Sequence, residues 1–270
     1  MVKMHRRHLT HNRYFHFPIC LAAMAALMGP VTAAASAVYQ PLPFNQNWNN
    51  TTLLTANDNW SGVPGIVGYL GEDPITSEAG RLPRTITADS SSAVDLIANQ
   101  TNPNTLVAGG VAEFHLVDPV VALQGSATAD YPHLVIHLNT IGVFGPLIFQ
   151  ARLRDIDGSL DNATQPIQVQ YRTQPSGEWT NAAGGDFLDA TTGPGMSTLE
   201  TAVYVVLPGD VGNRPQLQIR ILTANAAGGP LGNDEWVGID DISVSPATSG
   251  VPAPGSLQPT TWSRIKSLGR

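Results

Sequence analysis

Apolar and polar residues alternate with a period of two in a series of short runs. Leu147, Phe149, Ala151 and Leu153 alternate with Ile148, Gln150, Arg152 and Arg154, and Ile167, Val169 and Tyr171 with Gln168, Gln170 and Arg172. Leu217, Ile219 and Ile221 stand against Gln218 and Arg220, and Leu134, Ile136 and Leu138 against His133, Val135 and His137. Successive side chains of a strand point to opposite faces, so each run predicts a half-buried antiparallel strand. Residues 111–117 and 202–207 read as further strands. Pro175-Ser176-Gly177, Gly193-Pro194-Gly195, Pro208-Gly209-Asp210 and Gly228-Gly229-Pro230 punctuate the runs with residues suited to turns. Residues 90–99 fit a short helix or a strand equally well. The expected fold is all-β, an antiparallel β-sandwich of jelly-roll type.

The stretch Gly232-Asn233-Asp234-Glu235-Trp236-Val237-Gly238-Ile239-Asp240-Asp241-Ile242-Ser243-Val244 reads as the closing strand. Val237 and Ile239 share one face, but Ile242 and Val244 have the opposite parity. A β-bulge at Asp240-Asp241 accounts for the flip. A carboxylate re-aimed by a bulge needs a partner to offset its desolvation, and structural calcium is the cation expected there, with Asp240 and Asp241 as ligands. Asp155, Asp157 and Asp161 with Asn162 surround Gly158 in a connection between two strands, and oxygen ligands at alternate positions around a glycine also suit calcium. The competing reading is an Asx-rich loop capping its own backbone, with solvated acids at the closing strand.

Residues 1–37 open with Lys3, Arg6, Arg7 and Arg13, continue through an apolar core broken by Pro18 and Pro30, and end on Ala35-Ser36-Ala37. This is the pattern of a secretory signal cleaved after Ala37. The core falls short of the roughly 20 apolar residues of a spanning helix. The expected organisation is a signal over 1–37, a β-sandwich domain over 38–245 and a disordered Pro/Ser/Thr-rich tail over 246–270. Cys20 is the single cysteine and lies in the signal, so the secreted part has no disulfide. Removing the signal's four basic residues from 14 Lys+Arg leaves 10 against 21 Asp+Glu, a formal charge of −11. A chain so acidic, with scattered arginines, disfavours nucleic acid as a partner.

No Gly-x-Ser-x-Gly elbow, phosphate-binding glycine loop or His-Glu-x-x-His helix occurs. Paired carboxylates for glycoside hydrolysis are defined by their separation in space, which a sequence does not show. His133, His137 and His115 could make a zinc site, but both histidines of the 133–138 run lie opposite its apolar face and are expected to point to solvent. Aromatic rings that stack on sugars are the remaining chemistry. Trp179, Tyr131 and Trp60 are the candidate ligand-binding residues, against a competing role in packing. Trp179, following the turn at Ser176-Gly177, is the one expected to be exposed.

Val107-Ala108-Gly109-Gly110-Val111-Ala112-Glu113-Phe114, residues 153–171, Ala190-Thr191-Thr192-Gly193-Pro194 and residues 233–244 resemble the β-sandwich module of secreted bacterial proteins. That module is often found ahead of an extracellular endonuclease/exonuclease/phosphatase domain. The resemblance covers residues 39–245 and implies an accessory role. The catalytic motifs Gly-Asp-x-Asn and Ser-Asp-His are absent, since Gly185-Asp186-Phe187 is followed by Leu188. The closing strand also resembles those of carbohydrate-binding jelly rolls, some of which hold a structural calcium, and that likeness implies Asp240 or Asp241 as its ligand. Val251-Pro252-Ala253-Pro254-Gly255 resembles a degenerate Pro-Glu-Pro sorting tail without its apolar helix. The expected function is a secreted, non-catalytic module binding a glycan or cell-envelope polymer. A protein-docking accessory of a nuclease-type system is the alternative, and an unrecognised hydrolase the third.

Overall fold

The computed structural model describes residues 38–71, 81–88, 92–159, 163–193, 197–225 and 234–247. The expected signal, Asp161 and all but the first two residues of the expected tail lie outside the described residues. Two sheets pack face to face. The first contains β1 (Gln40–Pro41), β3 (Ile66–Tyr69), β7 (His133–Asn139), β9 (Ile167–Arg172), β10 (Thr180–Phe187) and β12 (Leu217–Leu222). Its order is β1-β7-β12-β9-β10, with β3 also on β7. The second contains β2 (Phe44–Gln46), β4 (Ile97–Gln100), β5 (Gly110–Phe114), β6 (Val120–Gln124), β8 (Leu147–Asp155), β11 (Glu200–Leu207) and β13 (Val237–Pro246). Its order is β11-β8-β13-β6-β5-β4, with β2 also on β13. From β7 to β13 the chain passes repeatedly between sheets. Pairing is antiparallel except for β1 with β7 and β4 with β5. The jelly-roll sandwich expected from the alternation is the fold.

The ambiguous 90–99 run ends in strand β4, and the 111–117 run stops pairing at Phe114, leaving Val117 fully exposed in the bend before β6. Inward residues of both sheets form one core: Leu134, Ile136 and Leu138 of β7 and Leu217, Ile219 and Ile221 of β12 face Phe149, Leu153, Val205 and Ile239. Burying each such side chain contributes roughly 1.5–3 kcal/mol. A second cluster packs Phe114 edge-on to Trp236, with ring centroids 5.3 Å apart.

The bulge in the closing strand is present. Asp240 is opposite Arg152 and Ser243 opposite Gln150, so Asp241 and Ile242 together face the single residue Ala151. Asp241 adopts φ 49°, the left-handed conformation that aspartate tolerates better than most residues. This shift sends Val237, Ile239, Ile242 and Val244 all into the same core despite their opposed parity.

Candidate functional site

The outer face of the first sheet is a grid of side chains. Cross-strand pairing sets His137, Gln218 and Arg172 in one row, Val135, Arg220, Gln170 and Asn181 in the next, and Tyr69, His133, Leu222 and Gln168 in the third. Alternation alone would leave this face in water. Instead, His133, His137, Gln168, Gln170, Gln218 and Arg220 are all buried. The expectation that both histidines point to solvent is therefore corrected. They do lie opposite the apolar face, but Tyr69 and Tyr131 stack on His133 and Tyr39 meets His137, while a roof contributed by distant segments lies over Gln170 and Arg220.

That roof is fixed by hydrogen bonds to the grid. The turn Pro83–Thr85 and its successor Ile86 cross the sheet: Asn181 Nδ2 donates to the Arg84 carbonyl at 2.9 Å, and Gln170 Nε2 and Arg220 Nη2 donate to the Ile86 carbonyl at 3.1 and 2.6 Å. The Trp179 amide donates to the Thr87 carbonyl at 2.8 Å. Trp179 itself is 4% exposed, a correction to its expected exposure. The Arg172 and Arg220 guanidiniums lie 4.1 and 4.5 Å from its ring centroid, within cation–π distance, so the turn that was expected to present the indole folds it onto the sheet.

Between roof and grid remains a cleft of about 210 Å³, lined by Tyr69, Ser92, His133, Val135, His137, Arg172, Pro175, Trp179, Gln218 and Arg220. Aromatic rings make one wall. His133 stacks on Tyr69 at 5.2 Å and on Tyr131 at 5.9 Å, nearly parallel to both. Its Nδ1 lies 2.9 Å from the Tyr131 carbonyl, which can only accept, so Nδ1 carries the proton. His137 meets Tyr39 edge-on and places Nδ1 3.3 Å from the Gly65 carbonyl. Burial pushes its pKa down to about 4, and the Arg172 charge acts the same way, so it is neutral near pH 7. Burial likewise raises the Tyr69 phenol, keeping it a hydrogen-bonding hydroxyl. Gln218 accepts from Arg172 Nε at 2.5 Å and donates to the Tyr39 hydroxyl at 3.0 Å. The cleft therefore combines ring surface with held donors and acceptors, the composition of a small-molecule site.

Of the three aromatic candidates, only Trp179 lines this cleft. Tyr131 supports it from behind, 3% exposed among Ile86, Leu222 and Ala224. Trp60 is a core residue, 1% exposed, edge-on to Trp48 and donating from Nε1 to the Asp95 carbonyl at 3.0 Å. Sequence reasoning missed Arg172, Arg220 and Gln218. Their only signal was that a strand's outward positions are occupied by large hydrogen-bonding side chains in register across two strands.

The acidic candidates divide between two places. Asp240, 1% exposed, is aimed at cations supplied by the chain: Arg154 Nη1 at 2.9 Å and Arg152 Nη2 at 3.1 Å. Asp118 joins both arginines, and Asp241 lies 3.3 Å from Arg152 Nε. Asp155, the last residue of β8, and Asp157 just beyond it are buried, and the structure adds Glu235 to their neighbourhood. Glu235 Oε1 accepts from the Ala163 amide at 2.7 Å, while Glu235 Oε2 and Asp155 Oδ2 are buried without a hydrogen-bond partner among the described residues. Burial, reinforced by Asp155 and Asp157, pushes the Glu235 carboxyl up to about 8, and burial raises Asp155 to about 6. Asp157 and Asp155 also accept from the backbone amides of Ser159 and Asp157, the self-capping alternative for this loop. Among the described residues, no three His, Cys, Asp or Glu side chains converge to hold a metal ion. His115 lies just past β5 of the second sheet, 3.2 Å from Glu113 and apart from the other two imidazoles.

No protein-family model matches the chain, and no curated protein matches it in sequence. Solved structures similar in shape include the K1 cleaved adhesin domain of the Lys-gingipain of Porphyromonas gingivalis W83, at 14% identity and TM-score 0.35, covering 68% of this chain and 99% of that one. A carbohydrate-binding module specific for non-crystalline cellulose matches at 12% identity and TM-score 0.35, covering 55% and 98%. The C-terminal carbohydrate-binding module of a marine laminarinase from Zobellia galactanivorans matches at 10% identity and TM-score 0.27, covering 52% and 97%. Among the described residues, no helix is long and apolar enough to cross a membrane.

Proposed function

We propose that this chain is a secreted, non-catalytic β-sandwich module that binds a glycan or cell-envelope polymer in the cleft on the outer face of its first sheet. The observation that carries the reading is the cleft itself. A sheet face that could have been left to solvent is roofed over, yet a cavity lined by Tyr69, Trp179, His133, the neutral His137 and oriented Gln and Arg side chains remains beneath the roof. Sugars present both apolar C–H faces and hydroxyls, and this pairing of rings with fixed polar groups answers both. The leader-like residues 1–37 support export, and the lack of nucleophile or metal-protease motifs supports binding without turnover.

Incubation of the full mature chain with insoluble polysaccharides, followed by measurement of the protein left in solution, tests the reading. Selective depletion by one polymer is expected, and Trp179→Ala should reduce it while the folded far-UV spectrum is retained. Failure of every polymer to deplete the protein would remove the glycan reading and favour a protein-docking role.

A further inference from the structure

We propose that Asp155 and Glu235 hold a calcium ion that ties the connection after β8 to the start of the closing strand. This goes beyond the glycan-binding reading and does not depend on it. Strand register brings the two acids together. Asp155, the last residue of β8, pairs with Val237, the first residue of β13, and Glu235 lies two residues before that pair. Both side chains are buried, Glu235 at 1% exposure and Asp155 at 5%. Backbone amides hold one oxygen of each: Glu235 Oε1 accepts from Ala163 at 2.7 Å, and Asp155 Oδ1 accepts from Asp157 at 3.3 Å. The amides of Asp157, Ser197 and Thr198 all favour the ionised form of Asp155. The remaining oxygens, Glu235 Oε2 and Asp155 Oδ2, are buried without a hydrogen-bond partner among the described residues. Buried polar atoms are nearly always bonded, so two such oxygens in one cluster point to a bound water or ion.

Charge decides for the ion. Asp157, 5% exposed, adds a third negative charge, and burial reinforced by Asp155 and Asp157 pushes the Glu235 carboxyl up to about 8. Among the described residues, neither Asp155 nor Glu235 forms an ion pair. Residues 160–162, 194–196 and 226–233 contain no Lys, Arg or His, so those stretches bring no counter-charge. Water would satisfy a lone pair but leave the repulsion, whereas a divalent cation removes both penalties. Asp240 provides the contrast, because its carboxylate meets Arg154 at 2.9 Å and Arg152 at 3.1 Å and needs no ion. The donors at Asp155 and Glu235 are all oxygen. No three His, Cys, Asp or Glu side chains meet among the described residues, so two carboxylates share the ion with water and neutral oxygens. Calcium accepts six to eight oxygens in irregular geometry, while magnesium demands a near-octahedral set and zinc favours nitrogen and sulfur. Two carboxylates place the dissociation constant at the weak end of the range, roughly 10⁻⁴ M, as in extracellular modules.

The test is calcium binding by the full mature chain, first stripped with chelator. Isothermal titration calorimetry near pH 8.5 should show one calcium per chain. Thermal melts in chelator, in calcium and in magnesium give the second readout. Calcium at about ten times its dissociation constant should favour the folded state about elevenfold, a rise of about 3–6 °C in melting temperature. Magnesium should give less than half of that rise. Glu235→Gln and Asp155→Asn keep the size of each side chain and relieve the repulsion, so both should melt in chelator no lower than wild type and lose the calcium rise. Asp240→Asn should keep the rise. Absence of both binding heat and a melting shift in the wild type would overturn the proposal whatever the variants do. A rise that survives in both Glu235→Gln and Asp155→Asn, or that disappears in Asp240→Asn, would overturn the assignment to this cluster.

Discussion

Replacing Asp240 with Asn removes the charge at the centre of the bulge and leaves its shape nearly unchanged. Asp240 is 1% exposed, and its Oδ2 accepts from Arg154 at 2.9 Å and Arg152 at 3.1 Å while Oδ1 accepts the Asp241 amide at 2.7 Å. Burial holds this carboxyl above its ordinary range, against the Asp241 amide and Arg152, so the pair is a poor source of net stability. Removing one partner is a different matter, because the guanidiniums lose their buried counter-charge. Breaking a buried pair costs about 3–5 kcal/mol. Arg152 retains Asp118 at 2.9 Å and Arg154 retains it at 3.2 Å, which argues for the low end, about 3 kcal/mol. For a domain of this size that is a fall of roughly 6–12 °C in melting temperature. Urea unfolding of wild type, Asp240→Asn, Arg154→Gln and the double variant would give the loss and the coupling energy together. The losses should be the same in calcium and in chelator. A cost below about 0.5 kcal/mol, the scale of ordinary surface changes, would refute the buried-pair argument. A loss confined to calcium would restore the ion that the sequence led one to expect at Asp240.

Glu235→Gln tests the second acidic cluster through pH. The folded carboxyl titrates near 8 against an unfolded value of 4.5, so only the folded state holds the proton between them. Stability should therefore fall as pH rises through that window, by up to about 1.4 kcal/mol per unit from this group, and the Gln variant should lose that share of the slope. A slope unchanged by the substitution would contradict the assignment; a calcium-induced rise in melting temperature that vanishes in the Gln variant would place an ion at Asp155 and Glu235. His137 has the opposite sign: its folded value of about 4 lies below the unfolded 6.5, so stability present above pH 6.5 is lost as pH falls toward 4. His137→Gln should flatten that limb in acid denaturation curves, and an unchanged limb would exclude the buried neutral imidazole. Gly71→Ala should be strongly destabilising in thermal melts, since φ is +67° and a Cβ would collide with the Tyr131 carbonyl; a melt within about 1 °C of wild type would mean that this junction yields.

Local patterning was enough to determine the sandwich. Period-two alternation in β7, β8, β9, β11 and β12 assigns each residue to a face, and the parity flip at Asp240-Asp241 marks the bulge, because both are consequences of strand geometry within one segment. The short strands β1, β2 and β3 were not legible, since two to four residues carry no period and their pairing is settled by distant partners. The site belongs to the same category. That Gln170 and Arg220 point away from the core could be read from the sequence; that this face is buried could not, because its cover comes from residues 83–87 and Trp179, far along the chain from β12. In the same way, two nearby acids in one motif went to different fates. Asp240 met two guanidiniums from β8, and Glu235 came to rest beside Asp155 and Asp157, because the partner of a buried charge is set by which strands pair and in what register. Alternation along a strand decides where a side chain points, and only the packing of remote segments decides what it meets there.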